Sequence, residues 1–392
     1  MKYKNLFCYL IIFLFTFTYF FFFERNTYLI ADDTIFHTSN ILVMADNVSL
    51  SNLIPDKILP TLASDLGYGV NIFYPMIPHL VGAYVTKIFS MFDIGIIGVM
   101  KFIHFMVIFL SGSLMYKYIK EVSKNRKQAL ITAILYQSSP YLFTDVFMRG
   151  AYNESFLFIY LPLIFLSLYH LFETDNKRKF YIYFIVGYSL LIYSHLVLAI
   201  FLTIFIIIYM LVFYKKLFTR DIIKCLNFAS IIILLITSNF WGPLLEHKLL
   251  DIHNIFRLYC VEDFGVEIAQ IGFYLFPLKF ANVKENYFLL FFISPICFLL
   301  MGCNIIQIIR NKINRKDINI LKGITIFMII SLFIATNSFV WKIIPNMLRN
   351  IQFSWRLALF IAFAASIIGG YGIRLFKDRV QKIILIIVII IG

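Results

Sequence analysis

Charge is what this chain has least of. Only 14% of its 392 residues are Asp, Glu, Lys or Arg, and the 21 acids are outnumbered by 35 bases. Soluble domains carry about a quarter charged residues, so a soluble globular protein is excluded. Cysteine is sparse as well. Cys8, Cys225, Cys297 and Cys303 fall in or beside apolar runs, and only Cys260 lies in a polar segment. No spacing suggests a disulfide framework or a zinc knuckle, and these side chains read as small apolar packing residues. There is no phosphate loop: Gly67-Tyr68-Gly69 has no strand before it and no Lys-Ser/Thr after it. It reads as a turn leading to Phe73-Tyr74-Pro75. Internal repeats and low-complexity linkers are missing, apart from a bias toward Phe and Ile.

Apolar residues fill the gap. They make up 61% of the chain, in repeated runs of about 18 residues or more, the length that crosses a bilayer as a helix. The expected fold is an all-α polytopic membrane protein of about 11 transmembrane helices. The runs fall at 5–23, 94–116, 129–146, 151–172, 180–196, 198–213, 226–246, 287–309, 323–341, 355–375 and 383 onward. The first is too long for a signal-peptide core and no small-residue cleavage site follows it, so it reads as a retained helix. Residues 1–392 read as a single transmembrane domain, with truncation expected inside the last apolar run, Ile383–Ile391.

The bases gather in short stretches at Lys117–Lys127, Lys177–Lys179, Lys215–Lys224, Arg310–Lys322 and Arg374–Lys382, plus Lys2 and Lys4. These hold 23 of the 35 Lys and Arg residues, with only 6 of the 21 acids in or near them. The positive-inside rule makes them cytoplasmic, with the N-terminus inside. The net charge of +14 is then a topology signal. Nucleic-acid binding would need the bases on one contiguous face, and no nucleic-acid partner is expected. Pro75–Phe92 looks helical and apolar, yet counting it as a span would put Lys117–Lys127 outside. An interfacial helix on the outer surface satisfies both observations. The outer side then owns a first loop at 24–93, a second at 248–286, a third segment at 342–354 and a short turn at 147–153.

Ionisable residues at a membrane edge are costly and tend to mark function, and three clusters fit that description. Asp33 and His37, four residues apart, share one face if 33–44 is helical. Asp32 points elsewhere, and the two acids could simply cap that helix. The second cluster is Arg149-Gly150-Ala151-Tyr152-Asn153-Glu154. Here Glu154 could be only a dipole-complementing acid and Arg149 a snorkelling base. Taken together, Asp33 and Glu154 could hold a divalent cation (Mg or Mn), or divide into a base and an orienting acid. The third cluster runs from Arg349 to Arg356, preceded by Lys342. A lipid phosphate suits its arginines, which bind phosphate bidentately, although Trp355 and the arginines could merely anchor a helix at headgroup level. His195, at the junction of two short runs, reads as a structural residue or as a contact to a ligand phosphate or hydroxyl.

The order of these features resembles the GT-C superfamily of polytopic membrane glycosyltransferases. Within it, the match is to the bacterial branch of 6-pyruvoyl-tetrahydropterin-synthase-related membrane proteins. That branch's Asp followed by Phe-His is matched by Asp33 and Phe36-His37. Its Gly-Tyr-Gly and Tyr-Pro are matched by Gly67–Gly69 and Tyr74-Pro75, and its Arg-Gly-Ala…Glu by Arg149–Glu154. Its Gln-Phe-Pro-Trp-Arg is matched by Gln352-Phe353-Ser354-Trp355-Arg356, with Ser354 in place of proline. The resemblance covers nearly the whole chain. It implies a GT-C-like bundle with an outer juxtamembrane helical loop, a catalytic acid at Asp33 assisted by His37 and Glu154, and a substrate site drawn from Tyr74, Arg149, His195, Arg349, Gln352 and Arg356.

The implied activity is inverting transfer of a sugar from a polyprenyl-phosphate donor to an extracytoplasmic acceptor, in a bacterial plasma membrane with the lipid bilayer as surroundings. The alternative is a transporter or flippase of lipid-linked saccharides. That reading expects ionisable residues near the bilayer midplane, where Lys101 and His104 are the main candidates.

Overall fold

The computed structural model describes residues 2–23, 33–49, 51–250, 281–282, 288–290, 292–310, 313, 315–349 and 351–391. Most of the expected second outer loop, with Cys260, lies outside the described residues, as does Asp32. Apart from a two-residue antiparallel pairing of Ala281–Asn282 with Phe288–Leu289, the regular structure is helical.

We number the longer helices α1 (Lys2–Phe23), α2 (Thr34–Asn47), α3 (Ile77–Ser90), α4 (Ile96–Ser123), α5 (Arg126–Gln137), α6 (Leu157–Glu173) and α7 (Lys177–Ile192). The series continues with α8 (Leu196–Leu211), α9 (Arg220–Leu249), α10 (Pro295–Ile309), α11 (Arg315–Thr336), α12 (Ala358–Gly372) and α13 (Asp378–Ile391). Five helices among the described residues are long and apolar enough to cross a membrane: Ile96–Ser123, Tyr152–Glu173, Arg220–His247, Asp317–Thr336 and Ser354–Leu375. Asn5–Phe21, Leu196–Leu211 and Pro295–Ile309 are shorter apolar helices. Length and composition thus establish a multi-pass helical bundle, without fixing the expected count of spans.

Local chemistry explains where helices stop short of the apolar runs. The run expected at 129–146 breaks after Gln137. Pro140, which has no N–H to continue the ladder, opens a short helix to Phe143, followed by a π-turn over Thr144–Met148. Asn337 ends the run at 323–341 early, because its side chain accepts from the backbone N–H groups of Phe339 and Val340 and starts a new short helix. Pro295 sits in the first turn of α10, where its fixed φ is welcome.

Two helices form the centre. The apolar stretches of Tyr152–Glu173 and Ser354–Leu375 are each 89% buried, against 28% for Arg220–His247, which faces outward. Phe165 of α6 meets Phe363 of α12 at 4.7 Å between ring centroids, and Phe327 of α11 packs on both. Close approach at the far end of α12 depends on glycine. A Cβ on Gly370 would collide with Thr132 of α5, and one on Gly372 with the Leu300 carbonyl of α10. Beyond it, Arg374 donates to Asp317, Gln128 and the Ser123 carbonyl, fixing that end to α11, α5 and the close of α4.

α3 is 14 residues long, too short for the roughly 20 needed to span. It lies against α2, with Pro78, His79, Gly82 and Ala83 facing His37, Asn40, Ile41 and Met44. It packs with α2 over the end of the bundle where α6 and α12 begin.

Candidate active site

The site is built around one turn. Gly150 adopts φ +64°, a left-handed conformation that costs glycine nothing and other residues strain. It lets Arg149-Gly150-Ala151 fold back, with Ala151 N–H donating to the Asp145 carbonyl at 2.8 Å. The Arg149 carbonyl accepts from Asp33 N–H at 3.1 Å, which stitches the start of α2 to this turn. Tyr152 donates to the Pro78 carbonyl and Asn153 to the Pro75 carbonyl, both at 2.8 Å. Two of the sequence clusters, far apart in the chain, therefore meet.

Arg149 is the hub. Its Nη1 lies 2.9 Å from Asp145 Oδ1 and 3.1 Å from Glu154 Oε2, while its Nη2 lies 4.0 Å from Asp33 Oδ2. Arg356, from the third cluster, brings its Nε to 3.3 Å from the same Glu154 oxygen. That contact is an ion pair without directional hydrogen-bond geometry; Arg356 Nη1 donates instead to the Ile351 carbonyl at 3.0 Å. Tyr141 completes the shell, donating to Glu154 Oε1 at 2.7 Å. Two guanidinium groups thus face two buried carboxylates, and every member has a charged neighbour, as burial of charge requires.

The acids differ in exposure, which separates their roles. The Glu154 side chain is 3% exposed, whereas that of Asp33 is 44% exposed. Asp33 occupies the N-cap position of α2 but makes no side-chain capping bond, so capping does not account for it. Glu154 does not act alone as a helix-dipole acid either, since Arg149, Arg356 and Tyr141 all engage it.

His37 does share the α2 face below Asp33, yet it points into the protein. Its Nδ1 lies 2.8 Å from His79 Nε2, and both rings pack on Tyr74 and Tyr152. Burial holds the His37 imidazole well below its ordinary pKa, aided by His79, His104 and Arg149. Burial alone pushes His79 down to about 3. Tyr74 sits between this cluster and the acids. Burial and then the Asp33 charge raise its hydroxyl pKa, so it stays protonated.

The remaining expected residues divide. His195 caps α8, with its Nδ1 accepting from Leu198 N–H at 3.3 Å, and it lies within electrostatic reach of Arg356, Glu154 and Arg149. Arg349 instead donates to the carbonyls of Ile344 (3.2 Å) and Lys342 (2.6 Å) in its own segment, and is not drawn into the cluster. Gln352 holds the turn before Arg356 with φ +68°, its N–H on the Arg349 carbonyl. Trp355 is 3% exposed and stacks on Phe353 at 4.2 Å, so it is a packing residue and no headgroup anchor.

Sequence reasoning misses Asp145, Tyr141 and His79. Asp145 stands four residues before Arg149, a spacing that brings oppositely charged side chains together, but it is hidden inside an apolar run. His79 lies inside the apolar segment Pro75–Phe92, 42 residues from the His37 it meets, and no local spacing links the two.

A divalent cation between Asp33 and Glu154 does not fit these residues. Arg149 already supplies the positive charge between them, and Glu154 is engaged by two guanidinium groups and a phenol. No group of three or more His, Cys, Asp or Glu side chains converges as a metal site among the described residues.

Comparison with known proteins bears on the fold and the family. Archaeal oligosaccharyltransferase AglB from Archaeoglobus fulgidus, solved with an inhibitory peptide and a dolichol-phosphate, superposes with a TM-score of 0.60 at 15% identity. The alignment covers 97% of this chain and 51% of that one, so this chain spans about half the length of AglB. The shared fold is the GT-C bundle. No curated protein matches the chain. The family model for the 6-pyruvoyl-tetrahydropterin synthase related domain, a membrane protein, matches residues 72–392, which takes in the Arg149–Glu154 and Gln352–Arg356 motifs and begins after Asp33. On that match the chain belongs to the 6-pyruvoyl-tetrahydropterin synthase related family of membrane proteins.

Proposed function

We propose that this protein is an inverting glycosyltransferase that moves a sugar from a polyprenyl-phosphate donor to an extracytoplasmic acceptor. One observation carries the reading: a half-exposed carboxylate, Asp33, stands beside a buried ion network contributed by two other segments of the chain. The bundle shared with AglB, itself solved with a dolichol-phosphate, supports a lipid-phosphate donor. The positive-inside pattern supports an N-terminus in the cytoplasm and a site facing the outside of a bacterial plasma membrane.

In this mechanism Asp33 takes the proton of an acceptor hydroxyl as its oxygen attacks the anomeric carbon. The bond from that carbon to the donor phosphate oxygen breaks, and the lipid phosphate leaves with the electron pair. Inversion follows from attack opposite the leaving group. Arg356 and His195 line the phosphate's side, and charge stabilisation there supplies much of the rate. Arg149 sets the position of Asp33, and Glu154 fixes both arginines. Tyr74 and Gln352 shape the wall of the sugar site.

The test uses purified protein in detergent with polyprenyl-phosphate sugars and candidate acceptors, reading release of polyprenyl phosphate. Turnover that disappears in Asp33→Asn supports the proposal. An active Asp33→Asn enzyme removes it. The transporter reading expects no consumption of donor where no compartments exist, and expects ionisable groups along a path. His104, its main buried candidate, packs beside Tyr152 next to the site.

A further inference from the structure

At the basic end of the bundle, opposite the site, lies a cavity of about 730 Å³ between α1, α5 and α13, within the size range of small-molecule sites. All three helices enter from this end, so their lining residues can be ordered by depth. At the mouth are Lys124, Arg126, Lys127 and Asp378; one turn deeper, Arg126 gives way to Leu130 on α5, Gln381 to Leu385 on α13, and Phe7 to Ile11 on α1. The wall therefore changes from cationic to apolar along the direction a membrane lipid takes. Phe7 is 62% exposed, which leaves the side of the cavity open toward hydrocarbon.

The charges at the mouth are not balanced internally. Asp378 is the one acid among the lining residues, and it is already paired with Lys127 and with Lys382. Lys124 and Arg126 pair with no acid among the described residues. Two bases held beside an apolar cleft match a phosphate diester carrying acyl chains.

We propose that this cavity binds an anionic glycerophospholipid, with its phosphate on Lys124 and Arg126 and an acyl chain along Ile11, Leu130 and Leu385. Nothing in the sugar-transfer reading requires this site, and the two stand or fall separately.

Delipidated full-length protein reconstituted into nanodiscs of mixed phosphatidylglycerol and phosphatidylcholine, then released for native mass spectrometry, tests it. Wild type retains phosphatidylglycerol in preference to phosphatidylcholine. In Lys124→Gln/Arg126→Gln the preference falls by about thirtyfold, as expected for two bases at a charged lipid surface. Glycerol 3-phosphate in solution does not displace the lipid, because it lacks the chains that fill the cleft. Equal retention of the two lipids by wild type overturns the proposal whether or not the variant folds. So does an unchanged preference in the variant, or displacement by glycerol 3-phosphate.

Discussion

Arg356 reaches to 3.3 Å from Glu154, joining the last central helix of the bundle to the turn that opens α6. That contact, with Arg149 on the same carboxylate oxygen, holds Glu154 buried between two guanidinium groups and leaves Asp33 as the more exposed of the two acids.

The two acids should therefore fail in different ways. Asp33→Asn lowers sugar transfer by about 10²- to 10⁴-fold, the usual worth of a general base. Its thermal midpoint stays close to wild type, because the side chain is half exposed. A large loss of stability in this variant would contradict its placement at the rim.

Glu154→Ala leaves two guanidinium groups without their shared anion. Removing one partner of a buried ion pair costs roughly 3–5 kcal/mol, so the midpoint drops sharply along with activity. Removing Arg356 and Glu154 together should cost less than the two separate losses combined, which a double-mutant cycle on thermal stability reads directly.

Chelators distinguish the arginine network from a metal centre. Transfer persists in EDTA, and Arg149→Lys loses activity that added Mg or Mn does not restore. Activity that vanishes in EDTA and returns with either cation would show that the guanidinium does not fill the cation's role. Arg349→Gln, outside the network, reduces transfer far less than Arg356→Gln.

The histidine pair makes stability depend on pH in a defined direction. His79 in the fold titrates near 3 and His37 well below its ordinary value, whereas unfolded imidazoles titrate near 6.5. Below that value the unfolded chain binds protons that the folded chain refuses. Stability is thus complete above about pH 6.5 and is lost as pH falls toward 3. His79 accounts for up to about 1.4 kcal/mol per pH unit over that window, and His37 acts in the same direction. Thermal midpoints measured from pH 7.5 to 5 should fall in wild type and fall less in His79→Gln.

Much of this architecture is legible in the chain itself. Apolar run lengths give the class, charge parity keeps the segment around His79 from counting as a span, and the three motif clusters each contribute to one end of the bundle. Partner choice is not legible. Asp33 and His37 are four apart on one helix, yet His37 turns inward to His79 on a separate helix, a pairing that only tertiary packing decides. Arg349 and Arg356 look equivalent as basic residues at a membrane edge. The left-handed turn at Gln352 separates them, binding one to its own backbone and delivering the other to Glu154. Helix ends depart from the apolar runs where Pro140, Pro295 and Asn337 interrupt them, since hydropathy averages over such local breaks.

The glycine contacts that seat the far end of α12 have a bearing on the opposite side of the membrane. With the turns at either end the helix runs from Ser354 to Leu375, 22 residues, a rod of about 33 Å. Its foot is wedged against Thr132 and Leu300 and pinned by Arg374, so it cannot piston along its axis. The height at which Arg356 meets Glu154 is accordingly set by backbone fit a full helix length away. Even an alanine at Gly372, chemically mute and remote from any sugar, would throw the guanidinium out of step with its carboxylate.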